Sequence, residues 1–162
     1  MSLKEHALPP RPTGFSLIEI TIVLVIAAVL LSIGTIVFSG YNERIAAQRA
    51  AQVFSRDLIL ARGTAIRGRE RVAIRFYESA KYYLVATASG RELARRRFGT
   101  GAEFTLSAVD LAVPGDTLSF SPRGFANLAA LGAAIGTATF TSGNVSYQVQ
   151  FNGMGTSKVA GS

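Results

Sequence analysis

The sequence predicts an α+β fold in which one long N-terminal helix packs on a small antiparallel β-sheet domain. Residues 15–38 form an almost unbroken apolar segment, residues 41–66 keep a helical spacing of apolar positions, and much of the later chain alternates apolar and polar residues. Apolar residues at every third or fourth position indicate a helix, whereas strict alternation indicates a half-buried strand. We therefore expect a helix whose first half is apolar all round and whose second half covers one face of a sheet.

The N-terminal residues predict a leader followed by a membrane-spanning helix. Residues 1–14 contain Pro9, Pro10 and Pro12, which disfavour a helix. Residues 15–38 contain one charged residue, Glu19. As a helix this segment would span roughly 36 Å, which exceeds the hydrocarbon core of about 30 Å. We expect residues 1–14 to be a leader and residues 15–38 to be a transmembrane helix.

Residues 39–67 predict an amphipathic extension of the same helix. Six apolar residues, which we call the apolar stripe, recur at spacings of three or four and so share one face. Polar residues such as Arg56 and Arg62 lie off this face. We expect the apolar stripe to pack on the sheet that follows. Its members are Ala47, Ala51, Phe54, Leu58, Ala61 and Ala65.

Residues 68–162 predict an antiparallel β-domain with one buried face. Val72, Ile74 and Phe76 alternate with other residues, and later runs show the same alternation. Turn residues separate the runs at 78–81, 89–90 and 142–144. Residues 126–136 are rich in Ala and Gly, lack a clear period, and are interpreted as a loop. The predicted strands are 72–77, 82–88, 92–98, 137–141 and 145–151.

The composition argues against an enzyme. The chain has no cysteine, and its one histidine is His6, within the predicted leader. A mature chain without His or Cys excludes a Ser–His–acid triad, a thiolate zinc site and a cysteine nucleophile. Neither a Walker A motif nor a complete nucleotide fingerprint is present. We therefore expect no catalytic residue, no metal and no cofactor, and the chain offers no residues to equip a membrane-anchored hydrolase.

Glu19 is the most informative residue in the sequence, because it is a carboxylate within the predicted transmembrane helix. A carboxylate inside a lipid helix is unfavourable by about 2.5–3.5 kcal/mol on insertion scales. If the chain were cut between Gly14 and Phe15, a new amino terminus would lie one helical turn from Glu19, and its ammonium group is a natural counter-charge. Gly14 suits a protease that needs close access to the backbone, because glycine has no side chain to obstruct it.

The segment Gly14-Phe15-Ser16-Leu17-Ile18-Glu19, followed by a long apolar run, resembles the cleavage motif of type IV prepilins and pseudopilins. The resemblance implies that the membrane prepilin peptidase cuts after Gly14 and methylates the new amine of Phe15. It also implies that Glu19 pairs with the amine of a neighbouring subunit when N-terminal helices pack into a filament. The implied partners are that peptidase, other pseudopilins or pilins, and inner-membrane lipid.

Later segments resemble the GspH/FimT-type pseudopilins. Residues 60–66, with the strand at Val72, resemble their helix-to-sheet junction; residues 120–124 resemble their Phe-x-Pro-x-Gly element; and residues 153–159 resemble their final turn and strand. Thr156 departs from the pattern, because an arginine is common there. The resemblance implies a minor pseudopilin of the type II secretion pseudopilus, a structural subunit for protein export. It also implies a single pass through the bacterial inner membrane, with residues 68–162 in the periplasm.

Two other interpretations remain open. The second-ranked interpretation is a minor pilin of a type IV pilus that takes part in DNA uptake. An ordinary secreted binding module with a signal peptide would instead begin its mature chain near Thr35.

The distribution of basic residues favours a cytoplasmic C-terminus, because residues 39–67 carry five basic residues and the leader carries two. The prepilin resemblance outweighs that count, since it implies a cytoplasmic leader and a translocated domain.

The formal net charge of +7 is unevenly distributed along the chain. Residues 44–97 contain 13 basic and 4 acidic residues, and they include two basic clusters. Such clusters predict contact with phosphates, as DNA uptake would require, or a solvated face near anionic lipid headgroups. We favour the solvated face over nucleic acid, because Tyr82 and Tyr83 are the only obvious stacking partners nearby. The clusters are Arg67, Arg69 and Arg71, and Arg95, Arg96 and Arg97.

Overall fold

The computed structural model describes residues 14–128 and 134–161, which form one long helix and two antiparallel sheets. The helix, α1, covers Leu17–Gly68. The first sheet has the strand order β3-β2-β1-β5 and the second has β4-β6-β7-β8. The predicted α+β class is therefore confirmed. The strands are β1 (Val72–Tyr77), β2 (Tyr82–Thr87), β3 (Glu92–Arg97), β4 (Ala108–Leu111), β5 (Thr117–Phe120), β6 (Ile135–Ser142), β7 (Val145–Asn152) and β8 (Ser157–Gly161), with a 3₁₀ turn at Pro114–Asp116.

The chain divides into two compact units, of which the first ends at Phe38 and the second begins at Ser39. In the first unit, the large apolar side chains between Leu17 and Leu31 are exposed. No helix among the residues with described positions reaches the length and apolarity that crossing a membrane requires. The transmembrane assignment of residues 15–38 and the four domain boundaries therefore stay predictions, and residues 1–13 of the predicted leader lie outside the described residues.

The second unit buries the apolar stripe completely. All six of its members are 0% exposed, which confirms the predicted amphipathic helix. The buried surface of α1 is wider than predicted, because Ala50, Asp57 and Thr64 are also buried. A helix that packs against two layers buries more of its circumference than one that lies on a single sheet. The buried polar residue Asp57 has its own partners, described below.

Phe54 shows that the helix packs on two sheets and not on one. Its ring lies 5.7 Å from that of Phe76 and 5.6 Å from that of Tyr83, both in the first sheet. It also lies 5.4 Å from the ring of Phe140 and 6.1 Å from that of Phe151, both in the second sheet. The expectation that the apolar stripe covers one face of a single sheet is therefore wrong. Both sheets close over the same aromatic centre.

Strand alternation located five of the eight strands in the described residues to within two residues at either end. Val72, Ile74 and Phe76 are buried as predicted, and β1 and β2 form a hairpin in which Val72 pairs with Thr87. The short strands β4 and β5 were not predicted as strands. Each has only four residues, too few for alternation to stand out from a loop. The terminal strand implied by resemblance is present as β8, which pairs with β7.

The predicted loop at residues 126–136 is wrong at its C-terminal end. β6 begins at Ile135 and includes Gly136, which pairs with Phe151. A Cβ at Gly136 would collide with the Phe151 ring, so this strand position needs a glycine to admit that ring. At the other end of the segment, Ala126 bridges to Phe120. Residues 129–133 of the predicted loop lie outside the described residues.

Residues 120–124 form a tight turn packed against the last turns of α1. The Gly124 amide donates to the Ser121 carbonyl at 2.8 Å, and Gly124 has a φ of +80°. The positive φ favours glycine, and a Cβ on Gly124 would lie 2.7 Å from Cδ1 of Ile66, the end of a flexible side chain that would have to move. The Phe-x-Pro-x-Gly element thus places the end of β5 against the helix.

Candidate processing and assembly site

The start of α1 fixes the position of Glu19. The Ser16 carbonyl accepts hydrogen bonds from the amides of Glu19 at 3.0 Å and Ile20 at 3.2 Å. Ser16 is therefore the N-cap residue, and Glu19 is the third residue of the helix. A carboxylate in the first turn faces the unpaired amides and the positive end of the helix dipole. Glu19 therefore lies where the positive end of the helix dipole, or a cation placed N-terminal to the helix, would stabilise its carboxylate.

The Gly14–Phe15 peptide bond lies in an open, non-helical segment. Gly14, Phe15 and Ser16 precede the helix, and no atom outside the immediate chain lies within 4 Å of a Cβ built on Gly14. Phe15 is 79% exposed. A peptidase must hold its substrate in an extended conformation, so residues ahead of a helix suit cleavage better than residues within one. Cleavage after Gly14 itself stays a prediction.

The first turn contains a signal that the sequence analysis missed. Ser16 and Glu19 have the Ser-x-x-Glu spacing of a capping box, in which the glutamate supports the N-cap residue. This spacing was visible in the sequence but was interpreted only as part of the cleavage motif. The described hydrogen bonds at this end of the helix are made by the Ser16 carbonyl, so support of the N-cap by the Glu19 side chain stays a prediction.

Hydroxyl groups in the apolar part of α1 are satisfied by the helix itself. Thr21 Oγ1 donates to the Leu17 carbonyl and Ser32 Oγ donates to the Val29 carbonyl, each at 2.7 Å. Such bonds remove the cost of placing hydroxyls in an apolar environment. Glu19 is consequently the group in residues 17–32 that most needs an external partner.

A second carboxylate on α1, Asp57, is satisfied within the second unit. It is 3% exposed and accepts a hydrogen bond from the Tyr83 hydroxyl at 2.8 Å. Arg96 donates to both of its oxygens, from Nε at 3.1 Å and from Nη2 at 3.3 Å. Nη1 of Arg96 also bonds to Glu103 at 3.2 Å. A buried carboxylate requires hydrogen-bond partners, and those of Asp57 come from β2 and β3. The Asp57 group therefore joins the helix to these two strands.

The protonation states of this group follow from its surroundings. Burial raises the pKa of Tyr83 well above its usual range, and the neighbouring Asp57 carboxylate raises it further. The hydrogen bond to Asp57 raises the pKa of the Arg96 guanidinium. Tyr83 is therefore a neutral donor and Arg96 a fixed cation. The arrangement joins α1 to the first sheet through hydrogen bonds and an ion pair.

The structure divides the Arg95-Arg96-Arg97 cluster between two faces of the first sheet. Arg96 pairs across the strands with buried Tyr83 and points to Asp57, while Arg95 and Arg97 are exposed on the opposite face. Arg95 bonds to Glu92 at 2.8 Å. Tyr83 is 2% exposed, so the expectation that it could act as a stacking partner is wrong. An anion contact by Arg96 is untested, but its guanidinium is already engaged by two carboxylates.

The other basic cluster lies at the end of α1 and before β1. Arg67, Arg69 and Arg71 are all exposed. Arg71 precedes Val72, which pairs with Thr87, whereas Arg97 pairs with Tyr82. The two clusters are therefore at opposite ends of the first sheet and do not form one continuous track. Within the described residues, no group of three or more His, Cys, Asp or Glu side chains is placed to hold a metal ion.

Comparison with known proteins gives two family matches. The family described as type II transport protein GspH matches residues 50–155. The prokaryotic N-terminal methylation motif matches residues 10–35, which include Gly14, Phe15 and Glu19. A search of the curated proteins gave no match.

The solved structures similar to this chain include one minor pilin in two crystal forms and one minor pseudopilin. The type IV minor pilin FimU of Pseudomonas aeruginosa PAO1, in its P21 crystal form, has a TM-score of 0.53 at 17% identity, covering 74% of this chain and 92% of that one. In the P65 crystal form the TM-score is 0.52 at 18% identity, and the match covers 70% of this chain and 91% of FimU. The minor pseudopilin EpsH from the type 2 secretion system of Vibrio cholerae has a TM-score of 0.47 at 16% identity, with 71% and 96% covered. At these identities the likeness to FimU shows the fold alone.

Proposed function

Because this chain belongs to the family of the type II transport protein GspH, whose pattern matches residues 50–155, we propose that it is a minor pseudopilin of a type II secretion pseudopilus. At the coarser level it is a pilin-like structural subunit of the type IV pilin superfamily, carrying a prokaryotic N-terminal methylation motif. Members of such a family assemble with other pilins or pseudopilins after prepilin processing. The finer assignment to secretion rests on the family match.

The observation that carries the proposal is the arrangement of residues 14–19. An exposed Gly14–Phe15 bond precedes a helix whose third residue is Glu19 and whose apolar side chains are exposed. Cleavage after Gly14 would release residues 1–14 as a leader and create an amine at Phe15, which the peptidase would methylate. Apolar helices then pack in a filament as they would in lipid, and the amine of one subunit neutralises Glu19 of another.

The proposed location follows from the same steps. Residues 15–38 would anchor the chain in the bacterial inner membrane by a single pass before assembly. Residues 39–67 would carry the helix out of the membrane, and residues 68–162 would be the periplasmic domain. The exposed Arg67, Arg69 and Arg71 lie at the far end of that helical extension, where they would form part of a solvated face.

Mass spectrometry of the mature N-terminus tests the proposal directly. Full-length protein produced together with a prepilin peptidase should begin at Phe15 and carry one added methyl group. Gly14→Val should leave the leader attached, because a branched side chain obstructs the peptidase. Gly40→Val is the matched control, since a Cβ at Gly40 also meets nothing within 4 Å, and it should be processed normally. Retention of the leader in the unaltered chain, or a start near Thr35, would contradict the proposal.

A gene deletion separates secretion from a type IV pilus, the alternative that the FimU likeness supports at the level of fold. Deletion should reduce export of a type II cargo and leave surface pili and DNA uptake unchanged. Intact export with loss of pili or of DNA uptake would instead identify a minor pilin. Complementation with the Gly14→Val variant should fail in either case, because both assemblies require processing.

A further inference from the structure

One surface of the first sheet combines arginines with apolar and aromatic side chains. Along β1 and β2 every second residue is buried, and the residues between them point away from the core. Arg95 and Arg97 of β3 pair with Leu84 and Tyr82 and therefore share this outward surface. We call it the outer face. Its main members are Arg75, Tyr77, Tyr82, Leu84, Arg95 and Arg97.

One end of the outer face is a shallow pocket of about 450 Å³. Ala73, Leu84 and Ala86 form an apolar floor, because two of these side chains are too small to fill the space between the strands. Arg71 and Arg75 also line the pocket, and none of its described lining residues is acidic. Neither arginine forms an ion pair within the part of the chain that the structure describes. The pocket thus offers apolar surface beside two arginines without a described ion pair, and the nearby Glu92, opposite Ala86 on β3, is already engaged by Arg95.

The aromatic rings at the other end of the outer face are already covered. Tyr82 stacks on Tyr77 with ring centroids 4.7 Å apart, and the Arg95 guanidinium lies 5.2 Å from the Tyr82 centroid. Because β2 lies between β1 and β3, Tyr77 and Arg95 approach Tyr82 from opposite sides. Tyr82 is rigidly held, and its ring faces are not open to another planar group.

We propose that the outer face is a docking surface for an acidic protein segment that carries an aliphatic side chain beside its carboxylates. Arg71 and Arg75 bind the carboxylates, for which the planar guanidinium offers a two-pronged donor. The aliphatic side chain lies on the floor formed by Ala73, Leu84 and Ala86. Charge complementarity orients the partner, and burial of the apolar floor adds affinity.

The same geometry argues against a nucleic acid strand as the occupant. Single-stranded nucleic acids bind to a continuous positive groove with open aromatic rings on which the bases stack. Arg71 and Arg97 are separated by the length of β2, roughly 17 Å at the usual rise per residue. The ring of Tyr82 is covered on both sides, and a phosphate backbone gains nothing from an apolar floor. An acidic segment with an aliphatic side chain matches both features of the pocket.

Peptide binding to the full-length chain in detergent tests this inference. The probe is a short labelled peptide that repeats Glu-Leu-Glu, and its matched control repeats Glu-Gln-Glu at the same charge. We expect the leucine peptide to bind more tightly. Arg71→Gln with Arg75→Gln should weaken it by about tenfold, the effect of losing roughly 1.4 kcal/mol of contact energy. Leu84→Gln should remove the preference for the leucine peptide.

The controls separate a specific site from general charge attraction. Arg49→Gln with Arg56→Gln changes the net charge equally at exposed positions on α1 that do not line the pocket, and should leave binding unchanged. Equal loss with both arginine pairs, or equal binding of both peptides, would overturn the inference. Tighter binding of single-stranded DNA than of the leucine peptide, weakened by the Arg71 and Arg75 changes but not by Leu84→Gln, would overturn it in favour of a phosphate surface. Binding of neither probe would also overturn it.

Discussion

Asp57 and Glu19, two of the three carboxylates on α1, have opposite surroundings. Asp57 is buried and accepts three hydrogen bonds from Tyr83 and Arg96. Glu19 is exposed among apolar side chains and has no ion-pair partner within the residues described. A carboxylate in apolar surroundings requires a compensating charge wherever it lies. The difference is that Asp57 is satisfied by the fold, whereas the counter-charge that we propose for Glu19 must come from processing or from another molecule.

The apolar side chains of the two parts of the helix differ in the same way. The apolar stripe is 0% exposed, whereas Leu17 and Leu31 are 87% and 72% exposed. A monomeric soluble protein rarely leaves so large an apolar surface uncovered. The second unit therefore contains its own core, whereas the described large apolar side chains of the first unit are left exposed.

Phe54→Ala should have the largest effect on the second unit. The change removes a fully buried ring that contacts aromatic side chains of both sheets. The free energy of unfolding should fall by about 3–5 kcal/mol. Denaturant titration of the full chain in detergent, followed by near-ultraviolet circular dichroism, measures the loss. Ile59→Ala, at an exposed position on the same helix, should change it by less than about 1 kcal/mol. Similar losses for both would show that Phe54 is not the centre of the core.

Asp57→Ala should destabilise the second unit by less, about 2–3 kcal/mol, because it leaves the Tyr83 hydroxyl and part of the Arg96 guanidinium without an acceptor. Asp110→Ala, which removes an exposed carboxylate, is the control and should change the free energy of unfolding by about 0.5 kcal/mol or less. The same titration compares the two. If Asp57→Ala were as mild as the control, the Asp57 group would not hold the helix to the first sheet.

Tyr83→Phe sharpens the comparison through its pH dependence. Tyr83 keeps its proton in the folded chain because its pKa is raised, whereas the unfolded chain loses that proton near pH 10, about the usual tyrosine value. The contribution of Tyr83 to the free energy of unfolding is therefore intact below about pH 10. It is lost as the pH rises further, by up to about 1.4 kcal/mol per pH unit. Unfolding at several pH values should show a shallower alkaline decline in the phenylalanine variant. Parallel declines in the two proteins would contradict this assignment.

Local features of the sequence were sufficient to predict the helix and the candidate processing site. The apolar stripe repeats within a few residues, and Gly14, Phe15 and Glu19 lie in one short segment, so neither requires knowledge of distant contacts. The division of Arg95, Arg96 and Arg97 between two faces could also have been predicted, because adjacent strand residues point to opposite sides.

Features that depend on distant partners were not predictable. Asp57 resembles a solvated helix residue in the sequence, and its partners Tyr83 and Arg96 lie 26 and 39 positions away. The separation into two sheets depends on which strands pair, as when β5 pairs with β1. The start of β6 could not be predicted at Gly136, because a glycine in an Ala/Gly-rich segment indicates a loop. Only the position of the Phe151 ring shows why this strand has a glycine there.

Glu19→Gln should have the smallest effect on stability and a large effect on assembly. The change keeps the size of the side chain and its ability to support the N-cap, but it removes the charge. The second unit should unfold at the same denaturant concentration, since Asp57 and the apolar stripe are unchanged. Incorporation into filaments, measured by co-purification with the other pseudopilins, should fall, because the amine of a neighbouring subunit loses its counter-charge. Thr21→Val, which alters a nearby hydroxyl bonded only within its own helix, should assemble normally. Normal assembly of Glu19→Gln would show that the exposed carboxylate has no partner in the filament.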